Sequence, residues 1–180
     1  ISNSMFSQNT NHSGGAIYAY KVIFLQYYNC FFINNLVNKF GGAIRTYRTK
    51  YITGIKSVFL NNWAHSNGAA FSIFDSIDIT INSSIFYGNK YDVIDSYDGK
   101  SFMVGYSTFR NNTLDFYGGV RIFKSTLAVV HTSVFATNNA KYIGVLNFMK
   151  VDNSSIINSH FMNNYATTYG GGMFLFEATV

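Results

Sequence analysis

The sequence predicts an all-β parallel β-helix of about seven coils of roughly 26 residues, and three observations carry that reading. First, a phenylalanine followed three residues later by asparagine recurs seven times. The phenylalanines are Phe6, Phe32, Phe59, Phe86, Phe109, Phe135 and Phe161, spaced by 26, 27, 27, 23, 26 and 26. The asparagines are Asn9, Asn35, Asn62, Asn89, Asn112, Asn138 and Asn164. A fixed period of this length, carried by short β-rich segments, is the signature of a solenoid with one coil per repeat. Second, a glycine-rich landmark follows six of the seven Asn by five to seven residues, as in Gly14-Gly-Ala-Ile17 and Gly41-Gly-Ala-Ile44. Third, the composition opposes helix and disorder alike. Glu177 is the lone glutamate, proline is 0, aromatic residues reach 18%, and charged residues fall to 12% against about 25% in ordinary chains.

Each position of the repeat has a physical task. Seven residues before Phe stand Leu25, Ile52, Ile79, Phe102, Ala128 and Ser154; five before it stand Ile1, Tyr27, Gly54, Ile81, Val104, Val130 and Ile156. These alternate with polar residues such as Gln26, Thr53 and Thr80, the period of two that marks a strand with one buried face. Two before Phe lies Ser4, Cys30, Ser57, Ser84, Ser107, Ser133 or Ser159. The single cysteine thus reads as a small buried stand-in for serine, not a nucleophile. The seven Phe predict an internal aromatic stack. The seven Asn predict a hydrogen-bonded ladder at a turn, where Asn tolerates the left-handed conformation. A second amide-like column, Gln8, Asn34, Asn61, Asn111 and Asn163, runs beside it and breaks at Gly88 and Thr137. The glycine pairs, with Gly15 and Gly42 as second members, supply positive φ and let coils approach closely. The fourth copy has lost the glycine landmark, in keeping with its 23-residue length.

Charge and cysteine usage narrow the functional classes. The net charge of +5 comes from 13 basic residues against 8 acids, and the densest basic run is only Arg45, Arg48 and Lys50. Nucleic-acid binding, which needs clustered Lys and Arg, is not expected. Cys30 is alone, which excludes an internal disulfide or a cysteine-rich metal site. No stretch approaches the roughly 18 apolar residues of a membrane span, and no signal peptide is visible. The repeat is already running at Ile1 and still running at Gly171-Gly-Met-Phe-Leu-Phe176. Residues 1–180 therefore read as one β-helical segment internal to a longer chain, with further coils or a protein partner expected at both ends.

The alternation of Gly-Gly-Ala-Ile with Phe-x-x-Asn along the whole chain resembles the repeats of the polymorphic outer-membrane proteins of chlamydiae and of similar surface proteins in some protists. The matching residues are Gly14 to Ile17, Gly41 to Ile44 and the seven Phe-x-x-Asn copies. Gly68-Ala-Ala-Phe71, Gly118-Gly-Val-Arg121 and the stretch from Tyr91 to Asp95 depart from the pattern. The resemblance implies a right-handed β-helical passenger region, exposed at a cell surface and often adhesive. Its partners would be glycans or host and cell-surface proteins, with no catalytic residues and no cofactor.

The enzymatic alternative is a carbohydrate-active β-helix of the pectin-lyase-like kind, with its catalytic coils outside this segment. The pectin-degrading signatures Asn-Thr-Asp, Asp-Asp and Gly-His-Gly are absent from the sequence. Acid–base hydrolysis needs two carboxylates on one groove. The one dense set is Asp92, Asp95 and Asp98, where the repeat shortens. It reads first as a solvated turn and second as a weak calcium candidate. His12, His65, His131 and His160 occupy four different repeat positions, which argues against a metal cluster. Arg45, Trp63 and Arg121 are candidates for lining a sugar groove. Sequons begin at Asn11, Asn82, Asn111 and Asn153, at the frequency chance predicts. A third reading is an architectural subunit of a large protist assembly.

Overall fold

A computed structural model describes residues 1–115 and 118–180. The described residues contain no helix and pair in parallel, as the sequence period predicts. Each coil contributes to three sheets. The first stacks Met5–Ser7, Phe31–Ile33, Val58–Leu60, Ile85–Tyr87, Thr108–Arg110, Val134–Ala136 and His160–Met162. The second and largest runs from Ile17–Tyr20 and Phe24–Tyr28 to Met173–Ala178, and includes the long strands Ile94–Gly105, Val120–His131 and Leu146–Ile157. The third is built of two-residue strands such as Trp63–Ala64 and Thr113–Leu114, joined across the fourth coil by the bridges Trp63↔Lys90 and Lys90↔Thr113.

Register is set by identity: Phe6, Phe32, Phe59, Phe86, Phe109, Phe135 and Phe161 pair directly, each with the next. Their rings stack with centroids 4.5–5.0 Å apart. The five middle Phe are fully buried, whereas Phe6 and Phe161, covered from one side only, are partly exposed. The columns five and seven before Phe are inside as well, with Ile52, Ile79, Ile81, Phe102, Val104, Ala128 and Val130 buried. Tyr27 shows how one column absorbs an oversized side chain. Its ring occupies the space beside Gly54, where a Cβ would collide with it, and it makes edge contacts with Phe32, Phe59 and Phe71.

The asparagine ladder is complete at each interior rung. The Asn62 Oδ1 accepts the Asn35 backbone N–H at 3.0 Å and the Asn35 Nδ2 at 3.0 Å. The Asn62 Nδ2 donates to the Phe32 carbonyl at 2.9 Å and to the Asn89 Oδ1 at 3.1 Å. The same pattern continues through Asn112 to Asn138, which is buried. The Asn138 Oδ1 accepts the Asn112 backbone N–H at 3.0 Å, and its Nδ2 donates to the Phe109 carbonyl at 2.9 Å and to the Asn164 Oδ1 at 3.0 Å.

The expectation that these asparagines themselves take the left-handed conformation is corrected by the backbone. Asn9, Asn35, Asn62, Asn89, Asn112, Asn138 and Asn164 do not have positive φ. Positive φ falls on the residue before each of them: Gln8, Asn34, Asn61, Gly88, Asn111, Thr137 and Asn163, between 51° and 64°. That preceding residue turns the corner, which directs the ladder side chain inward. The glycine pairs divide their two tasks in the same way. Gly14 and Gly41 carry the positive φ, at +65° and +68°, while Gly15 and Gly42 do not. The second glycine serves close approach instead. A Cβ on Gly15 would meet the Gly42 carbonyl, and one on Gly42 would meet the backbone of Ala69 and Trp63.

The serine column likewise does more than fill space. Each interior hydroxyl accepts an N–H from the coil before it and donates to the carbonyl two residues back, as Ser57 does with Cys30 at 3.1 Å and Ile55 at 3.0 Å. Cys30 is buried with its Sγ 3.3 Å from the Tyr28 carbonyl, the serine geometry kept by a weaker donor.

A further corner has no counterpart in the sequence reading. Lys21, Arg48, Asp75, Asp98, Lys124, Lys150 and Glu177 all have positive φ and stack in one column. Wherever the sign of charge changes between neighbouring coils along it, an ion pair forms: Arg48–Asp75 at 3.1 Å, Asp98–Lys124 at 3.9 Å and Lys150–Glu177 at 3.6 Å. Immediately before it runs an outer aromatic stack, Tyr20, Tyr47, Phe74, Tyr97 and Phe123, with centroids 4.8–5.6 Å apart. No helix among the described residues is long and apolar enough to cross a membrane.

Candidate functional site

The shortened fourth coil creates a cleft. Eight residues separate Asn62 from the strand starting at Phe71, but only four separate Asn89 from the strand starting at Ile94. The fourth turn therefore lies low between its neighbours. The outward positions of the third sheet form the floor there: Trp63, Lys90, Thr113, Asn139 and Tyr165, on successive coils. Together with Tyr91, Asp115 and Lys141 they line a cleft of about 700 Å³. It continues past Trp63 and Lys90 into a hollow of about 710 Å³ reaching Leu36 and Asn61.

Aromatic groups stand along this surface. Trp63 and His65 meet edge to face at 5.9 Å, and His65 lies 6.0 Å from the Tyr91 ring. Tyr91 takes a left-handed backbone, φ 78°, to fit the short turn. Its phenol is pushed up from the usual tyrosine value, first by burial and then by the Asp115 carboxylate, with which it is hydrogen-bonded. At neutral pH Tyr91 is therefore a hydrogen-bond donor, not a base. Asp115 also faces the Lys141 ammonium at 3.7 Å. The cleft thus presents rings, amides and ammonium groups, with one carboxylate already engaged by two partners. Glycoside hydrolysis uses a pair of carboxylates, and the lining of this cleft holds one, Asp115.

The aspartates flagged by the sequence are placed differently from the expected solvated turn. Asp92 is buried in the short turn, and Asp95 and Asp98 lie on the long strand Ile94–Gly105. Strand alternation sends Asp95 outward beneath Phe40 and Asn67, where it accepts from Arg121 Nε at 2.6 Å and Asn67 Nδ2 at 3.1 Å. Asp98 stands on the charged corner beside Lys124. The three carboxylates do not converge, because Asp92 is buried in the turn while Asp95 and Asp98 leave the strand at different positions. Among the described residues no group of three or more His, Cys, Asp or Glu could hold a metal ion. Arg45 and Arg121 do meet in one hollow, but Trp63 belongs to the other cleft. Sequence reasoning misses Tyr91, Asp115, Lys141 and Tyr165 as a group. The 23-residue repeat is the available signal, and it marks a gap between turns rather than a loop.

No family model matches the chain, and neither a curated protein nor a solved structure is found to be similar to it.

Proposed function

We propose that the chain is a non-catalytic recognition segment of a surface-displayed β-helical rod, of the adhesin or passenger type. The cleft over the third to seventh coils would hold an extended glycan or protein segment of the partner. The observation that supports this is the composition of that cleft: Trp63 and Tyr165 on a rigid ladder, with Asp115 engaged by Tyr91 and Lys141. Successive coils lie about 4.8 Å apart, so the four steps from Trp63 to Tyr165 span about 19 Å, the length of several linked sugar rings or an extended peptide. Display at a cell surface rests on the resemblance of the repeats to polymorphic outer-membrane proteins. The test is a screen of immobilised glycans and cell-surface proteins, with polysaccharide turnover followed in parallel. Binding without product, weakened at least tenfold by Trp63→Ala, is the expected result. Release of new reducing ends or unsaturated sugars would establish an enzyme instead.

A further inference from the structure

A second hollow, distinct from the cleft at Trp63, lies against the outward face of the large sheet. It measures about 310 Å³ and is lined by Phe40, Arg45, Asn67, Asp95, Arg121 and the edge of the outer aromatic stack. Its charges do not balance. Asp95 is engaged by Arg121 at 2.6 Å and by Asn67 at 3.1 Å. Arg45 has no carboxylate within ion-pair distance among the described residues. Its guanidinium lies over the Phe40 ring at 4.5 Å, and Nη1 donates to Ser13 Oγ at 2.9 Å. Those two contacts hold the plane fixed. Yet Nε is buried and has no hydrogen-bond partner. Burial also lowers the pKa of Arg45 from its usual value, the mark of a cation partly stripped of water.

Nε is shut off from water as the side chain stands, and a water that accepted from it would leave the charge uncompensated. A carboxylate does both, because the guanidinium edge that carries Nε presents two parallel donors matched to two carboxylate oxygens. The rings of Tyr47, Phe74 and Tyr97 supply an apolar wall for the remainder of the ligand. We propose that this hollow binds a small organic carboxylate, held in a fork on Arg45 with its ring or carbon skeleton against the outer aromatic stack. Serine at position 72, between Arg45 and Asp95 in the column, leaves the room for it.

The experiment is calorimetric titration of the whole chain with benzoate and glucuronate, each against its neutral counterpart, benzamide and glucose. Both carboxylates share the proposed chemistry, and whichever binds tighter identifies the source as an aromatic acid or an acidic sugar. At least tenfold preference for a carboxylate over its neutral counterpart is expected. Arg45→Met should remove that preference, and Arg45→Lys should retain only part of it. Equal binding of charged and neutral forms, absence of binding, or full retention in Arg45→Met would overturn the assignment. The comparison of charged with neutral ligands uses the unmodified chain, so it stands even where a variant does not fold.

Discussion

Two corners of the same coil solve the stacking problem in opposite ways. At the Phe-x-x-Asn corner the same residue type recurs on every coil, and the Asn62 and Asn89 amides are buried with their donors and acceptors paired. At the outer corner the residue type changes from coil to coil: Tyr47, Phe74 and Tyr97 stack in sequence, and Arg48, Asp75 and Asp98 follow them. The inner corner has no water to complete an imperfect rung, so a different side chain would orphan its neighbours above and below. The outer corner is partly solvated, so any flat ring stacks and any charge is tolerated. Identity is enforced where solvent cannot compensate.

The sharpest way to break this contrast is Asn89→Ala. It leaves the Asn62 backbone N–H and one Asn62 Nδ2 hydrogen without their acceptor, and removes a donor from the Phe59 carbonyl. Each orphaned buried group costs about 1–3 kcal/mol, so the variant should lose about 3–9 kcal/mol in chemical denaturation. A loss below about 1 kcal/mol would show that water reaches the ladder and that the corners do not differ as argued.

The same contrast explains what can be read from sequence. The Phe, Asn and Ser columns are legible because one residue type repeats at one spacing, and the coils, the aromatic stack and the amide ladder follow from them. The outer corner is hidden because Tyr20, Tyr47, Phe74, Tyr97 and Phe123 mix two residue types, and Lys21 to Glu177 mix both signs of charge. No identity search aligns a column whose only rule is flatness or ionisation. The left-handed positions are displaced by one residue for a related reason. Asn34, Asn61 and Asn111 directly precede Asn35, Asn62 and Asn112, and composition does not say which of two adjacent amides turns the backbone. Thr137 before Asn138 is the one place where the pair is not two amides or a glycine and an amide, and there too the first residue turns. The cleft at Trp63 depends on what the fourth coil lacks, and a deletion is visible only as a spacing of 23. The Arg45 hollow depends on strand alternation plus an overlying turn, which brings Phe40 and Asn67 over residues from other coils.

A moderate effect is expected at the outer corner. Phe74 stacks between Tyr47 and Tyr97, at 5.2 Å from each. Aromatic pairs contribute about 0.5–1.5 kcal/mol each beyond their buried area, so loss of both pairs should make Phe74→Ala cost about 1–3 kcal/mol, under the cost of Asn89→Ala in the same assay. Phe74→Tyr should restore most of it, because the column selects for flatness. A Phe74→Ala loss equal to that of Asn89→Ala would place the outer stack on the same footing as the buried ladder.

The smallest effect has the opposite sign, and it tests the inner side of the contrast from within. The Tyr27 hydroxyl is buried with no hydrogen-bond partner, unlike the paired amides one corner away. An unpartnered buried hydroxyl is a net cost, so Tyr27→Phe should stabilise the protein by about 1 kcal/mol near neutral pH. The advantage should grow in alkali. Burial, and secondarily Cys30, raise the Tyr27 pKa above the tyrosine norm in the folded chain. Above pH of about 10 the unfolded chain releases this proton while the native state keeps it. The unfolded state then binds fewer protons, and stability falls with rising pH by about 1.4 kcal/mol per unit for one such group. Other tyrosines titrate in both proteins, so the informative quantity is the difference between wild type and Tyr27→Phe. Measured by denaturation at pH of about 9 and about 11, that difference should widen by about 1.4 kcal/mol. A constant difference would mean that the phenol ionises as readily inside the solenoid as outside it, and that the interior beside Gly54 is wet.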